Sequence, residues 1–223
     1  MCSKFVDFHT HQMSLDDDCV DILQLSVEDA LRGTEADVYF SCGIHPWDSA
    51  LSNAKQVMSD LEQLSNTNRF FCIGECGIDR ASDVPLEIQI SIFEQEVQIA
   101  QKTGRPLIIH AVRSYSDILS VLKKYAVTVP IIFHDFRGNE VQINQLLHYN
   151  AYFSFGFSGI SQTKMHKNIH LIPLECLCLE TDDDNRKIPG MYEIVSDILD
   201  VSVFELRNIL FRNFKRIMKK DIL

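Results

Sequence analysis

Six side chains that could bind a divalent metal ion stand at, or just beyond, the ends of short apolar segments. They are His9, His11, Glu75, His110, His134 and Asp182. Imidazole nitrogens and carboxylate oxygens suit zinc, manganese or iron, and a carboxylate can bridge two ions. A lone histidine or acidic residue at such a position more often has a structural role, but six of them together indicate one metal site. Divalent ions held in this way support hydrolysis by an activated water.

The spacing of these residues predicts that they converge. His9 and His11, in the segment DFHTH, are separated by one residue. Because side chains of a strand alternate between its two faces, both imidazoles are expected to point the same way and to bind one ion. The other four candidates end or follow the apolar segments IGE, PLIIH, PIIFH and CLETD. In a TIM barrel the carboxyl ends of the strands form one catalytic face, so all six side chains are predicted at one mouth.

Short β-branched or aromatic runs alternate with stretches of helical spacing, which is the pattern of βα units around a parallel sheet. Strands are predicted at residues 4–9, 20–25, 38–43, 70–75, 106–110, 130–134, 151–154 and 177–180. The clearest helices are predicted at residues 49–64, 85–103, 116–125, 140–148 and 204–218. Eight continuously apolar strands predict an α/β fold, a (β/α)8 barrel of the TIM type. The connection at residues 11–20 is too short and acidic for a covering helix, so we expect an irregular barrel with a shortened first βα unit.

Length and charge limit the partners of the chain. Its 223 residues fit a single barrel domain that spans residues 1–223. The formal net charge of -10 repels a polyanion, so stable binding to duplex DNA is not expected. A short anionic substrate remains compatible, because bound metal ions add local positive charge. A monomer is the default expectation.

The cysteines and the hydropathy pattern indicate the compartment. Seven cysteines stand at positions 2, 19, 42, 72, 76, 176 and 178, mostly inside apolar runs, where they are expected to act as small core residues. The start of the sequence lacks a basic segment followed by a long apolar stretch, and no segment has the roughly 18 apolar residues that a membrane span needs. We therefore expect a soluble cytoplasmic protein that does not bind membranes.

The ordered motifs DFHTH, CGIHPW, IGECGID, IIH, FH-x-F-R-G and LETD resemble those of the TatD family of metal-dependent hydrolases, within the amidohydrolase-like superfamily. The resemblance runs over residues 5–182 and weakly to the RNF segment at 212–214. It implies two divalent ions (zinc, magnesium or manganese), one held by His9, His11 and Asp182. The resemblance further implies that His110 and His134 hold the second ion and that Glu75 bridges the two.

The same resemblance implies an activity. The family is associated with hydrolysis of phosphate esters, including exonuclease removal of nucleotides from DNA, and with deacylation of D-aminoacyl-tRNA. Short single-stranded DNA, or a small phosphate or aminoacyl ester, is therefore the expected substrate. The chain differs from the family in a shorter region after His11, in a shorter last third, and in Asp183 and Asp184 after ETD. Those two acidic residues add negative charge where a phosphodiester would approach.

Further residues near the expected mouth could contact the substrate. Arg137, in HDFRG, could bind a phosphate oxygen through paired hydrogen bonds, or form a surface ion pair. His45, in GIHPW, could contact substrate or a metal ligand, with Trp47 as a stacking surface. Arg113, just after His110, has the same two interpretations. The glycines of IGECGID are expected to permit a tight turn at the rim.

The expected catalytic residues are Asp182 and the bridging Glu75. A carboxylate beside a divalent ion can accept the proton of the attacking water and pass it to the leaving group, so Asp182 is the predicted general base. Two alternatives stay open. An amide or lactone hydrolase of the same superfamily would use similar ligands, although no strand-end lysine stands in the place of Glu75. The second alternative is a barrel that binds metal for stability alone. A structural zinc site needs only four ligands and has no open position, so the six candidate ligands speak against this alternative.

Overall fold

The computed structural model describes residues 3–14, 16–33 and 38–218. Eight parallel strands form one sheet in chain order: β1 (Phe5–Thr10), β2 (Cys19–Leu25), β3 (Tyr39–Cys42), β4 (Phe70–Asp79), β5 (Leu107–Val112), β6 (Ile131–Phe133), β7 (Ala151–Phe155) and β8 (Leu177–Leu179). The segment after β8 returns to β1, where the N–H of His11 donates to the carbonyl oxygen of Asp182 at 3.0 Å and the N–H of Asp182 donates to that of His9 at 2.9 Å. The predicted TIM-type barrel is confirmed.

Helices connect and cover the strands: α1 (Val27–Arg32), α2 (Ala54–Leu64), α3 (Leu86–Thr103), α4 (Tyr115–Lys124), α5 (Glu140–Leu146), α6 (Phe157–Ile160), α7 (Thr163–Ile169), α8 (Ile188–Leu199) and α9 (Val203–Met218). The five predicted helices correspond to α2, α3, α4, α5 and α9. The first of them begins five residues later than predicted (54 against 49), because Pro46–Asp48 forms a short 3-10 turn. Within the described ranges, no helix is both long and apolar enough to cross a bilayer.

The first βα unit is shortened, as predicted. Between β1 and β2 the described residues form bends and a turn in place of a helix. The outer side of β1 is covered from the other end of the chain, by α8 and α9. The hydroxyl of Tyr192 on α8 accepts from the N–H of Val6 at 3.0 Å and donates to its carbonyl oxygen at 3.1 Å. On α9, the guanidinium of Arg207 lies 3.9 Å above the ring of Phe5.

Strand β4 runs four residues further than predicted, to Asp79 instead of residue 75. The prediction of a turn at IGECGID is wrong, because Gly74 and Gly77 lie inside the strand. A Cβ atom at Gly77 would stand 2.2 Å from the carbonyl oxygen of His110, and one at Gly74 would stand 2.2 Å from the side chain of Ile108. The two glycines therefore let β4 and β5 approach closely, and pairing continues to Asp79 and Val112.

Apolar side chains fill the interior of the barrel and the layer between sheet and helices. Four cysteines belong to this core, namely Cys42, Cys72, Cys76 and Cys178. Cys19 and Cys176 are half-buried, and all six are free thiols. This agrees with their prediction as small core residues, while Cys2 lies outside the described residues.

Candidate metal centre

The predicted ligands meet at the carboxyl-terminal mouth of the barrel. His9, Glu75 and His110 lie within strands β1, β4 and β5. The remaining three, His11, His134 and Asp182, lie in the loops that follow β1, β6 and β8. Convergence of strand ends thus brings together side chains that are far apart in sequence.

Glu75 is the centre of this group. Its Oε1 atom lies 2.9 Å from Nδ1 of His110, 2.9 Å from Nε2 of His134 and 3.4 Å from Nε2 of His45. Its Oε2 atom lies 3.4 Å from Nε2 of His9. Burial opposes ionisation of this carboxyl, but the imidazoles outweigh it and hold the pKa of Glu75 well below its usual range. One buried carboxylate is therefore shared among four histidines.

Asp182 organises the other side of the mouth. Its Oδ1 atom lies 3.5 Å from Nε2 of His9 and 3.4 Å from Nε2 of His11. Partial burial opposes ionisation, yet the contacts with His11 and His9 lower the pKa of Asp182 below its usual range. Asp182 is about one-third exposed (32%) and His11 is 44% exposed, so this part of the centre opens towards solvent.

The donor atoms fit divalent metal ions. Three groups of ligand atoms lie within 4.8 Å of one another: His9, Glu75 and His134; His9, His11 and Asp182; His45, Glu75 and His110. His9 is fully buried, and neither of its ring nitrogens has a hydrogen-bond partner. Leaving buried polar atoms unpaired is costly. A cation between Glu75 and Asp182 would use the Nε2 atom, because the three atoms face the same space.

The pKa of His9 points to the same need for positive charge. Burial opposes protonation of this imidazole, but Asp182 and Glu75 raise its pKa from 6.5 to about 9. Either a proton on His9 or a metal ion beside it would balance the negative charge of the two carboxylates. Binding of the ion would therefore displace the proton.

Glu180 holds His134 in place, a contact that the sequence did not predict. The Oε1 atom of Glu180 lies 3.2 Å from Nδ1 of His134 and accepts the N–H of Asp135 at 2.6 Å. This leaves Nε2 of His134 directed at Glu75. Carboxylates that bind the second nitrogen of a metal-ligating histidine fix its tautomer and orientation. The only signal in the sequence is an acidic residue at the end of the apolar run LCLE.

A cavity of about 800 Å³ opens over the centre. Candidate ligands form its floor: His11, His45, Glu75, His110, His134 and Asp182. One wall is apolar and consists of Leu25, Val27, Trp47, Leu51 and Val57. Acidic residues stand around it: Glu28, Asp48, Asp135 and Asp183. Among the described residues that line the cavity, none is a lysine or an arginine.

The three predicted substrate residues are placed differently. His45 lines the cavity and is also close enough to Glu75 to be a ligand. Arg137 does not line it, and its Nε donates to Asp135 Oδ2 at 2.8 Å and its Nη2 to Ser158 Oγ at 3.0 Å. Arg113 is exposed and lies outside the cavity lining. Asp135, which holds Arg137, connects that guanidinium to the rim.

Comparison with known proteins places this arrangement in a family. The sequence profile described as "TatD related DNase" matches residues 6–219. The chain is 25% identical over 201 residues to the uncharacterised metal-dependent hydrolase YabD of Bacillus subtilis, an alignment that covers 82% of this chain and 78% of that protein. It is 30% identical over 155 residues to the human 3'-5' RNA nuclease TATDN2, which covers 65% of this chain and 20% of that protein.

A solved structure has the same fold. The crystal structure of YJJV, a TatD homologue from Escherichia coli K12, superposes with a TM-score of 0.82 at 18% identity, over 99% of this chain and 100% of that one. The barrel fold is therefore shared over nearly the whole chain.

Proposed function

The chain belongs to the family of TatD-related DNases and is a metal-dependent hydrolase. On this premise, we propose that it cleaves phosphate esters of single-stranded nucleic acid from the 3' end. The observation that carries the metal-dependent chemistry is the environment of His9. This imidazole is fully buried, neither of its ring nitrogens makes a hydrogen bond, and its Nε2 atom faces the carboxylates of Glu75 and Asp182. Nuclease activity is supported by the family and by the 30% identity to a 3'-5' RNA nuclease.

Two divalent ions of zinc, magnesium or manganese would be held by these side chains, one by His9, His11 and Asp182 and the other by histidines that contact Glu75. Such ions supply positive charge to a scissile phosphate and acidify the attacking water. Asp182 is placed to accept the proton of that water, because it is both partly exposed and held as a carboxylate by His9 and His11. Glu75 keeps the imidazoles of His110 and His134 converging on one point.

The charge of the cavity favours a short, single-stranded substrate. With acidic residues around the mouth and no lysine or arginine among the described lining, a long duplex would meet repulsion and few phosphate contacts. A single strand can present one terminal phosphodiester to the centre and keep the rest of its charge in solvent. We accordingly expect no stable complex with duplex DNA. We also propose that the protein acts as a monomer.

The test is release of nucleotides from end-labelled single-stranded DNA and RNA of the same sequence. Metal-stripped protein is resupplied with magnesium, manganese or zinc and compared with Asp182→Asn. A ladder from 5'-labelled strands, with mononucleotide from 3'-labelled strands, is expected only with metal and only in the wild type. If no nucleotide is released with any metal, in protein that binds metal, the substrate proposal is wrong.

The acidic rim favours a second substrate class, esters or amides that carry an ammonium group. Glu28, Asp48 and Asp183 could accept the α-amino group of an aminoacyl ester. Metal-dependent release of amino acid from an aminoacyl-nucleotide ester, beside inert N-acetylated substrate, would favour this class over the phosphodiester. A barrel that uses metal only for stability is disfavoured by the open cavity above the ligands.

A further inference from the structure

Asp79 joins an aromatic wall of the cavity to a candidate metal ligand. Its Oδ2 atom accepts the indole N–H of Trp47 at 2.7 Å and lies 3.4 Å from Nε2 of His110. The side chain of Asp79 therefore contacts Trp47 on one side and the candidate metal centre on the other.

The structure fixes Asp79 more firmly than its position at a strand end requires. Its Oδ1 atom accepts the N–H of Ala81 at 2.7 Å. Its own N–H donates to Oε1 of Gln89 at 2.8 Å, and Nε2 of Gln89 donates back to its carbonyl oxygen at 3.1 Å. Gln89 is buried on α3. Backbone and side chain of Asp79 are thus both held, which makes it a rigid anchor.

Trp47 is unusual for a large aromatic residue, since it is 61% exposed although its N–H is bonded to a buried carboxylate. Its ring lines the cavity beside Leu25 and Leu51. Its centroid lies 4.7 Å from that of His45 and 6.2 Å from that of His110. A largely exposed aromatic ring therefore stands directly beside the centre.

We propose that Asp79 is a positioning residue that holds Trp47 as a stacking wall next to His110, and that this wall selects substrates with a planar ring beside the scissile bond. The inference rests on the proposed function and narrows its substrate class. Because no lysine or arginine stands among the described lining, we expect affinity for a nucleotide to come mainly from metal–phosphate contact and from base stacking. Stacking of one base on an aromatic residue corresponds to about tenfold in affinity or more.

The experiment compares adenosine 5'-monophosphate with ribose 5-phosphate, which carries a hydroxyl group in place of the base. Binding to zinc-supplied protein is measured by calorimetry. Trp47 is the only tryptophan in the sequence, so its emission reports the ring directly. In the wild type, the adenosine phosphate is expected to bind about tenfold more tightly than the sugar phosphate and to quench the emission.

Two pairs of variants separate anchoring from stacking. Trp47→Leu removes the planar face, and Trp47→Phe keeps a ring without the indole N–H. Asp79→Ala removes both acceptors, whereas Asp79→Asn keeps the shape but puts an amino group opposite one of two N–H donors. Preference for the base is expected to vanish in Trp47→Leu and Asp79→Ala and to weaken in the other two, with lower emission anisotropy in both Asp79 variants. Asp83→Asn, at an exposed position of the following turn, should retain the preference.

The outcomes are distinct from those of the proposed function. Equal wild-type affinity for the two phosphates with unchanged emission overturns the inference, even if the protein degrades single-stranded nucleic acid. If Asp79→Asn leaves both the preference for the base and the emission anisotropy unchanged, the proposed role of Asp79 is wrong. This outcome can be read even if Asp79→Ala does not fold. Base-selective binding without any nucleotide release would contradict the substrate proposal alone.

Discussion

Asp182 and His9 contact each other twice, through the backbone and through the side chains. The N–H of Asp182 donates to the carbonyl oxygen of His9 at 2.9 Å, and Oδ1 of Asp182 lies 3.5 Å from Nε2 of His9. The seam that closes the barrel therefore also brings these two candidate ligands together. Because the ligands are separated in the unfolded chain, metal binding is expected to stabilise the closed barrel.

Asp182→Asn should abolish turnover while the fold and most of the bound metal remain. The amide cannot accept the proton of water, and loss of a general base costs about 100-fold to 10,000-fold in rate. The measurement is the rate of nucleotide release together with metal content and circular dichroism. Asp184→Asn is the control, because its carboxylate pairs with Arg186 outside the cavity lining. A near wild-type rate for Asp182→Asn would exclude this role.

His9→Ala and Glu75→Ala should each contain less metal than the wild type. His9 contributes to two of the three ligand groups, and so does Glu75. Metal per protein, measured by mass spectrometry after dialysis, is the readout. His170→Ala, which removes an exposed imidazole at the end of α7, should leave the metal content unchanged. An unaltered ratio of metal to protein in both variants would contradict the ligand assignment.

The sequence predicted which side chains meet, because each of the six candidate ligands lies at or just after the end of an apolar run that can be recognised locally. The same reasoning produced the eight strands and the shortened first unit. It did not produce the extension of β4, because the close approach to β5 depends on the absence of side chains at Gly74 and Gly77. A glycine pair in a sequence equally suggests a turn.

The supporting residues could not be predicted for a different reason. Glu180 and Asp79 are acidic residues that stand at strand ends, where the candidate ligands also stand. Their partners His134 and Trp47, however, lie on other elements. No local pattern encodes such a pairing. The placement of Arg137 was likewise open between phosphate binding and an ion pair, because only the fold brings Ser158 to its guanidinium.

Glu180→Ala should weaken metal binding and activity by about 10-fold to 100-fold, the usual cost of losing a carboxylate that orients a ligating histidine. The variant frees Nδ1 of His134 and leaves the N–H of Asp135 without its side-chain acceptor. Glu180→Gln keeps an oxygen that can accept both bonds, so it should retain more of the metal affinity. Zinc affinity by competition with a chromogenic chelator checks both variants. Equal losses in Gln and Ala would indicate that the charge matters more than the bonds.

Asp7→Asn should remove a pH dependence of stability. Burial raises the pKa of Asp7 from 3.8 to about 8, against the bonds that it accepts from Thr181. The folded state then holds this proton more tightly than the unfolded state, so its contribution to stability is complete below 3.8 and is lost as pH rises through about 8. We expect the free energies of unfolding of the two chelator-treated proteins to be similar at about pH 4, and the variant to become the more stable one as pH rises to about 8. Asp17→Asn, at an exposed site, should follow the wild type, and an Asp7→Asn difference that does not change with pH would show that Asp7 is already ionised.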